Sequence, residues 1–166
     1  MSILVRGPFP AAGPNLLLTA LGVAAVDTLR EQAGVRVGLK WPNDVVAPGT
    51  GRGGRDLKLG GLLAELHGGV GGSAVGGSAV GGSGDAVVLG IGINLAWKDV
   101  GFPEELRSSA TAVDLLGGEV DRTELVVGLL RAMDGVGELA HSASACELLS
   151  QSYGERCVTL GRRVRV

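Results

Sequence analysis

VRVGLKWPND, Val35 to Asp44, and LKLGGLLAELH, Leu57 to His67, are the two stretches on which the fold turns. Val35 to Leu39 reads as a strand, and it delivers Lys40-Trp41-Pro42-Asn43-Asp44 at its end. There Pro42 locks its own φ and removes a donor, so Asn43 and Asp44 are aimed by a stiff turn. Pro48 to Arg55, PGTGRGGR, reads as a flexible turn leading into the strand Leu57 to His67. That strand is interrupted by Gly60-Gly61, where a missing Cβ permits either a bulge or a ligand lying against the backbone.

Beyond His67 the pentads GGSAV, GGSAV and GGSGD fill positions 71 to 85. No packed unit repeats every five residues with this composition, so 68–84 is expected to be a flexible Gly/Ser loop. AVVLGIGINL follows as a strand closing on Asn94, and the strands on either side of the loop are expected to form a hairpin. Upstream, Ser2 to Arg6 (SILVR) reads as a strand that starts at the first residues, which implies sheet neighbours in sequence absent from this chain. Leu16 to Gln32 then predicts a helix with Leu17, Ala20, Leu21, Ala24 and Thr28 on one face and Gly34 as its stop. Downstream, Ser108 or Ser109 would cap a short helix through Leu116. Asp121 with Glu124 forms a capping box for a helix to about His141, and a third helix covers Ala143 to Tyr153 ahead of Gly154. Cys157 to Val166 alternates like a strand.

Composition narrows the function classes. The 166 residues are 45% hydrophobic and 19% charged with a mean hydropathy of +0.32, which excludes disorder of the low-hydrophobicity, high-charge type. A formal charge of −2 argues against an affinity built on neutralising many phosphates of a nucleic acid. Two cysteines, Cys146 and Cys157, and two histidines, His67 and His141, provide no metal-ligand spacing and fit a reduced, cytoplasmic protein. Leu16 to Val26 is too short to span a bilayer, so no membrane partner is expected.

Lysine is the informative cation, since positive charge is written as Arg twelve times and as Lys only at 40, 58 and 98. An ammonium is a compact point charge on a flexible stem, suited to following a carboxylate or phosphate oxygen that moves during a reaction. KWPND sets Lys40 beside Trp41, Asn43 and Asp44; the alternative is a plain strand exit with Trp41 packed on the core. Lys58 sits beside Gly60 and Gly61; the alternative there is a structural bulge. Gly90 and Gly92 alternate along one strand face ahead of Asn94, whose amide offers a donor and an acceptor to an adenine-like edge.

In this order, KWPND, KLGGLLAE (Lys58 to Glu65), GIGIN (Gly90 to Asn94) and ELRSSATAVDL (Glu105 to Leu115) resemble the catalytic core of the biotin protein ligases, or biotin-[acetyl-CoA-carboxylase] ligases. The resemblance implies an α+β fold, a mixed sheet flanked by helices related to class II aminoacyl-tRNA synthetases. It covers 1–155 as a partial catalytic core and 156–166 as the first strand of a C-terminal SH3-like barrel. The activity it implies has two steps. Biotin and MgATP give biotinyl-5′-AMP and pyrophosphate, and a lysine of a biotin carboxyl carrier domain then attacks the adenylate.

By the same resemblance Lys58 contacts the biotin carboxylate and the α-phosphate, and Asp44 orients Mg²⁺ or the incoming amine. Lys40, Trp41, Asn43 and Asn94 line the nucleotide and acceptor side, with Gly60 and Gly61 beneath biotin and Gly90 and Gly92 beneath the adenine. A homodimer is a further implication. The family's GRGRxGR loop lies upstream of the strand matched by Ser2–Arg6, so this chain is expected to hold part of a biotin site and, expressed alone, to bind biotin poorly. Gly51 to Arg55 (GRGGR) follows KWPND instead of preceding it and reads as a solvent-exposed turn. The competing reading is a catalytically incompetent binding module of the same fold.

Overall fold

The computed structural model describes residues 1–7, 14–67, 86–139 and 143–163. The described residues form five strands and three helices in the order β1 (Ser2–Arg6), α1 (Pro14–Ala33), β2 (Gly38–Lys40), β3 (Asp44–Ala47), β4 (Leu57–His67), β5 (Ala86–Ile93), α2 (Arg122–Leu139) and α3 (Ala143–Arg156). The expected α+β class holds. The sheet order is β1-β5-β4-β3-β2 with antiparallel ladders throughout, and parallel pairing is confined to two single bridges, Leu39 with Cys157 and Lys58 with Ala110.

α1 lies across one face of the sheet because its apolar residues recur at helical spacing. Leu17, Ala20, Leu21, Ala24 and Thr28, the face expected from sequence, are all buried. Of these, Leu17 and Leu21 join Leu39, Val45, Leu59, Leu62, Val87, Leu89 and Ile91 in a single core. Gly22 lets the helix approach closely, since a Cβ there would stand 3.2 Å from both Leu39 and Leu62. Gly34 ends the helix with φ +65°, and Arg30 donates from Nε and Nη2 to the Val37 carbonyl, tying the helix end to the approach to β2. The opposite face of the sheet carries exposed Ser2, Leu4 and Arg6 from β1 and no helix among the described residues, the arrangement an antiparallel sheet tolerates.

Several boundaries differ from the sequence expectation. β2 is only Gly38–Lys40, and an unanticipated β3 turns KWPND into the connection of a hairpin, with a cis Trp41–Pro42 bond. Instead of the expected helix from Ser108 or Ser109 there is an extended segment and a short 3₁₀ turn, Asp114–Leu116. The backbone of Lys58 captures the Ser109 carbonyl and the Thr111 N–H, both at 2.8 Å, and keeps those residues from helical geometry. Asp121 does cap α2: its Oδ1 accepts from the N–H groups of Thr123 (2.8 Å) and Glu124 (3.0 Å), which hold its carboxyl below the usual range.

α3 continues past Gly154 to Arg156 because Arg156 is anchored from outside the helix. Its Nε and Nη2 reach Asp27 Oδ1 and Oδ2 of α1 at 2.7 and 2.8 Å, and Nη1 donates to the Ser152 carbonyl. Asp27→Ala would leave a largely buried guanidinium with the Ser152 carbonyl and the Glu155 carboxylate 3.8 Å away. The expected cost is about 1–2 kcal/mol, a fall in Tm of roughly 3–8 °C by calorimetry; an unchanged Tm would mean that the fork is incidental. After α3, the described part of the expected strand is a single bridge followed by turns, with Val158 N–H donating to the Leu39 carbonyl. This covers the β2 edge of the sheet, and Val158 fits there only because Gly38 has no Cβ, which would lie 2.4 Å from its Cγ1. The β1 edge has no partner strand among the described residues. The expected loop at 68–84 lies outside the described residues.

Candidate functional site

The ladder registers place Lys40 opposite Asp44, Asp44 opposite Gly61, and Gly61 opposite Gly92. Directly paired residues share a face, so these four residues form one row across β2, β3, β4 and β5 on the helix-free side. The next row aligns Leu63, Gly90 and Ser2. Along these rows glycine leaves the sheet without Cβ atoms. One built at Gly92 would meet nothing within 4 Å, one at Gly90 would touch Leu63 at 3.6 Å, and one at Gly61 would lie 3.5 Å from Lys58 Nζ.

A bulge brings Lys58 to this face. Val46 pairs with Lys58 and Val45 with Gly60, so Leu59 is skipped and the alternation changes phase. Leu59 and Leu62 consequently both enter the core, and Lys58 falls on the side of Gly61. Its ammonium passes over Gly61 to Asp44, Nζ to Oδ1 2.5 Å, with the lysine side chain half exposed and the carboxylate a quarter exposed. A fixed cation thus lies over a floor of bare backbone, with a carboxylate holding it and Lys40 at the outer end of the row. Such a surface suits an anionic, flat-lying ligand whose charge changes during reaction.

Two predicted ligand-reading amides serve the backbone. Asn43 Nδ2 donates to the Leu62 carbonyl at 3.0 Å while Leu62 N–H donates to the Asn43 carbonyl at 2.8 Å, which fastens the hairpin to β4. Asn94 Nδ2 donates to the Thr111 carbonyl at 3.0 Å, and its own N–H goes to Leu59. Both act in part through what they hold, each with its second amide N–H and its carboxamide oxygen outside these bonds. Gly60 is likewise required by packing, since its Cβ would lie 2.4 Å from the Gly92 carbonyl oxygen and 2.6 Å from Ile93 Cδ1. The bulge expected as the alternative at KLGG is therefore real, and it coexists with open space over Gly61.

Trp41 is 72% exposed, which excludes the reading that packs it on the core. With Pro42, Asn43 and Asp44 it borders a cleft of about 430 Å³ closed on the helix side by Thr19 and Tyr153. A second cleft, about 620 Å³, runs from Gly92 and Asn94 to Arg122 and Leu125 of α2. Arg52 and Arg55 of GRGGR are exposed in the β3–β4 connection, at the opposite end of β3 from KWPND. Among the described residues, no three His, Cys, Asp or Glu side chains gather as metal ligands. None of the described helices is long and apolar enough to cross a membrane.

Sequence reasoning missed Asp114. Its Oδ2 accepts from the N–H groups of Trp97 and Lys98, both at 2.7 Å. Partial burial raises its carboxyl, but the N–H groups of Lys98, Trp97 and Leu115 and the Lys98 charge outweigh this and hold it below the usual carboxylate range. The only signal was an acid inside an otherwise apolar run, Ala112 to Leu116.

No family model matches the chain. Among curated proteins it is 34% identical over 161 residues to the biotin--[acetyl-CoA-carboxylase] ligase of Mycobacterium tuberculosis, covering 95% of this chain and 50% of that protein. It is 28% identical over 156 residues to the bifunctional ligase/repressor BirA of Bacillus subtilis, covering 92% of this chain and 42% of the relative. The chain therefore spans about half the length, or less, of the curated relatives it matches. Among solved structures, a biotin protein ligase from Aquifex aeolicus superposes with a TM-score of 0.70 at 24% identity, over 99% of this chain and 64% of that one. The Leishmania major biotin protein ligase in complex with biotinyl-5-AMP gives 0.62 at 19% identity, over 99% and 63%. At these identities the structures speak for the fold, and the curated relatives speak for descent. The chain is thus similar to biotin protein ligases along nearly all of its own length and along about half of theirs.

Proposed function

We propose that the chain carries the adenylate-forming and acyl-transfer face of a ligase that joins biotin to a lysine of a biotin carboxyl carrier domain. The observation that carries this reading is the Lys58–Asp44 pair held over the Cβ-free row of Gly61 and Gly92. In the first step a biotin carboxylate oxygen attacks the α-phosphorus of ATP, and the bond to pyrophosphate breaks. Negative charge on the carboxylate and α-phosphate oxygens shifts during this exchange, and Lys58 is placed to balance it without reorganisation. In the second step the carrier lysine's amine attacks the acyl carbon, an amide forms, and AMP leaves with the bonding electrons. Asp44 takes or orients the amine's proton while keeping Lys58 in place.

Magnesium typically uses one or two carboxylates together with substrate phosphates, and Asp44 is the carboxylate in the row that fits that part. Gly61, Gly90 and Gly92 allow flat contact with backbone, while Lys40 and exposed Trp41 border the side from which nucleotide and carrier arrive. A cytoplasmic location and a homodimer belong to the same reading.

The test adds biotin and MgATP to the purified protein. Biotin-dependent pyrophosphate release, followed by labelling of a carrier domain but not of its Lys→Arg variant, is the expected result. Binding of both ligands without pyrophosphate release would favour the incompetent binding module.

A further inference from the structure

Asp114 lies outside the row just described, yet it closes a belt of hydrogen bonds that links Lys58 to Asn94. Lys58 is bridged through its backbone to Ser109 and Thr111, and Asn94 reaches Leu59 through its N–H and the Thr111 carbonyl through its amide. Val113 N–H then donates to the Asn94 carbonyl at 2.9 Å, and Asp114 N–H to the Leu95 carbonyl at 3.0 Å. The carboxylate completes the circuit by accepting from Trp97 and Lys98. Two charge-assisted bonds at 2.7 Å on one oxygen are strong anchors for a turn that has no secondary structure of its own. The other oxygen, Oδ1, is buried and makes no well-aligned hydrogen bond among the described residues, with only the Leu115 N–H favouring its charge. A buried carboxylate oxygen left in this state is costly, so a purely structural turn would be served as well by a neutral acceptor.

We infer that Asp114 is a positioning residue: it holds the 94–98 turn, and through Asn94 it sets the nucleotide side of the site against Lys58. This rests on the function proposed above. The segment after β5 has no ladder partner, so without the carboxylate the two amides of Trp97 and Lys98 lose their common acceptor. The turn then samples other conformations. A nucleotide, which needs that turn ordered, would bind in fewer of them, whereas biotin beside Lys58 and Gly61 would be little affected.

The experiment measures KM for ATP and KM for biotin in pyrophosphate release by the purified protein, together with Tm, for the parent, Asp114→Ala and Asp114→Asn. Asp114→Ala is expected to raise KM for ATP tenfold or more and Asp114→Asn about threefold, with KM for biotin within twofold and Tm nearly kept in the Asn variant. Equal losses for ATP and biotin would reduce Asp114 to a general structural role and overturn the inference. So would an unchanged KM for ATP in Asp114→Asn, which remains readable if the Ala variant fails to fold. A parent that releases no pyrophosphate would overturn the functional reading itself, an outcome separate from a variant that behaves like an active parent.

Discussion

Lys58→Gln is expected to slow formation of biotinyl-AMP by about a hundred- to a thousandfold, the usual effect of removing one preorganised charge stabiliser from a transition state. The side chain is held in advance, over Gly61 and against Asp44, so its charge is in place before the reacting oxygens change theirs. Glutamine keeps much of the stem but offers a neutral donor, and it also leaves Asp44 without its cation. Single-turnover formation of the adenylate by the purified protein, with ligand affinities measured separately, distinguishes lost chemistry from lost binding. A rate within tenfold of the parent would contradict the assignment. Because Lys58 is half exposed and lies on the helix-free face, the substitution should leave the fold nearly as stable as before.

Gly60→Ala should do the reverse. The added methyl would stand 2.4 Å from the backbone oxygen of Gly92 and 2.6 Å from Ile93, and a carbonyl in a ladder cannot swing aside as a flexible side chain does. The β4–β5 pairing must open or shift at Gly60↔Ile93, next to the bulge that turns Lys58 toward Asp44. The expected cost is about 3 kcal/mol, or a Tm lower by roughly 6–12 °C, accompanied by loss of adenylate formation. The neighbouring Gly61→Ala is the control. Its methyl would sit at ordinary contact distance, so Tm should hardly move while ligand contact on that face suffers. Equal Tm values for the two variants would show that the sheet relaxes around Gly60.

The contrast between these two glycines shows how far the sequence could be read. Gly60 and Gly61 are indistinguishable in KLGG; only the register opposite Val45 and Asp44 decides that one is buried in the ladder and the other lies open beside Lys58. Asn43 and Asn94 were legible as important amides, but not as amides whose donors go to Leu62 and Thr111, because those partners lie 19 and 17 positions away. The bridge of Ala110 to Lys58 left no trace in the sequence, since Ser, Ala and Thr accept either geometry and Lys58 makes the choice from across the fold. The same holds for the end of α3. A glycine at 154 is a reasonable local stop, overruled by a guanidinium bound to Asp27 of another helix.

By itself the sequence determined what depends on neighbours along the chain. The 3.6-residue spacing of Leu17, Leu21 and Thr28 set the buried face of α1, Gly34 set its end, and Asp121 set the start of α2. The order of KWPND, KLGG and GIGIN was enough to indicate kinship, because motif identity survives without coordinates. The tertiary structure alone decided that Lys40, Asp44, Gly61 and Gly92 stand in one row, that a bulge turns Lys58 onto it, and that Asp114 ties the far side together. Register, bulges and long-range carboxylate contacts arise from pairing between strands. A one-residue change in pairing reverses every side chain's face, so no reading along a single strand could have fixed them.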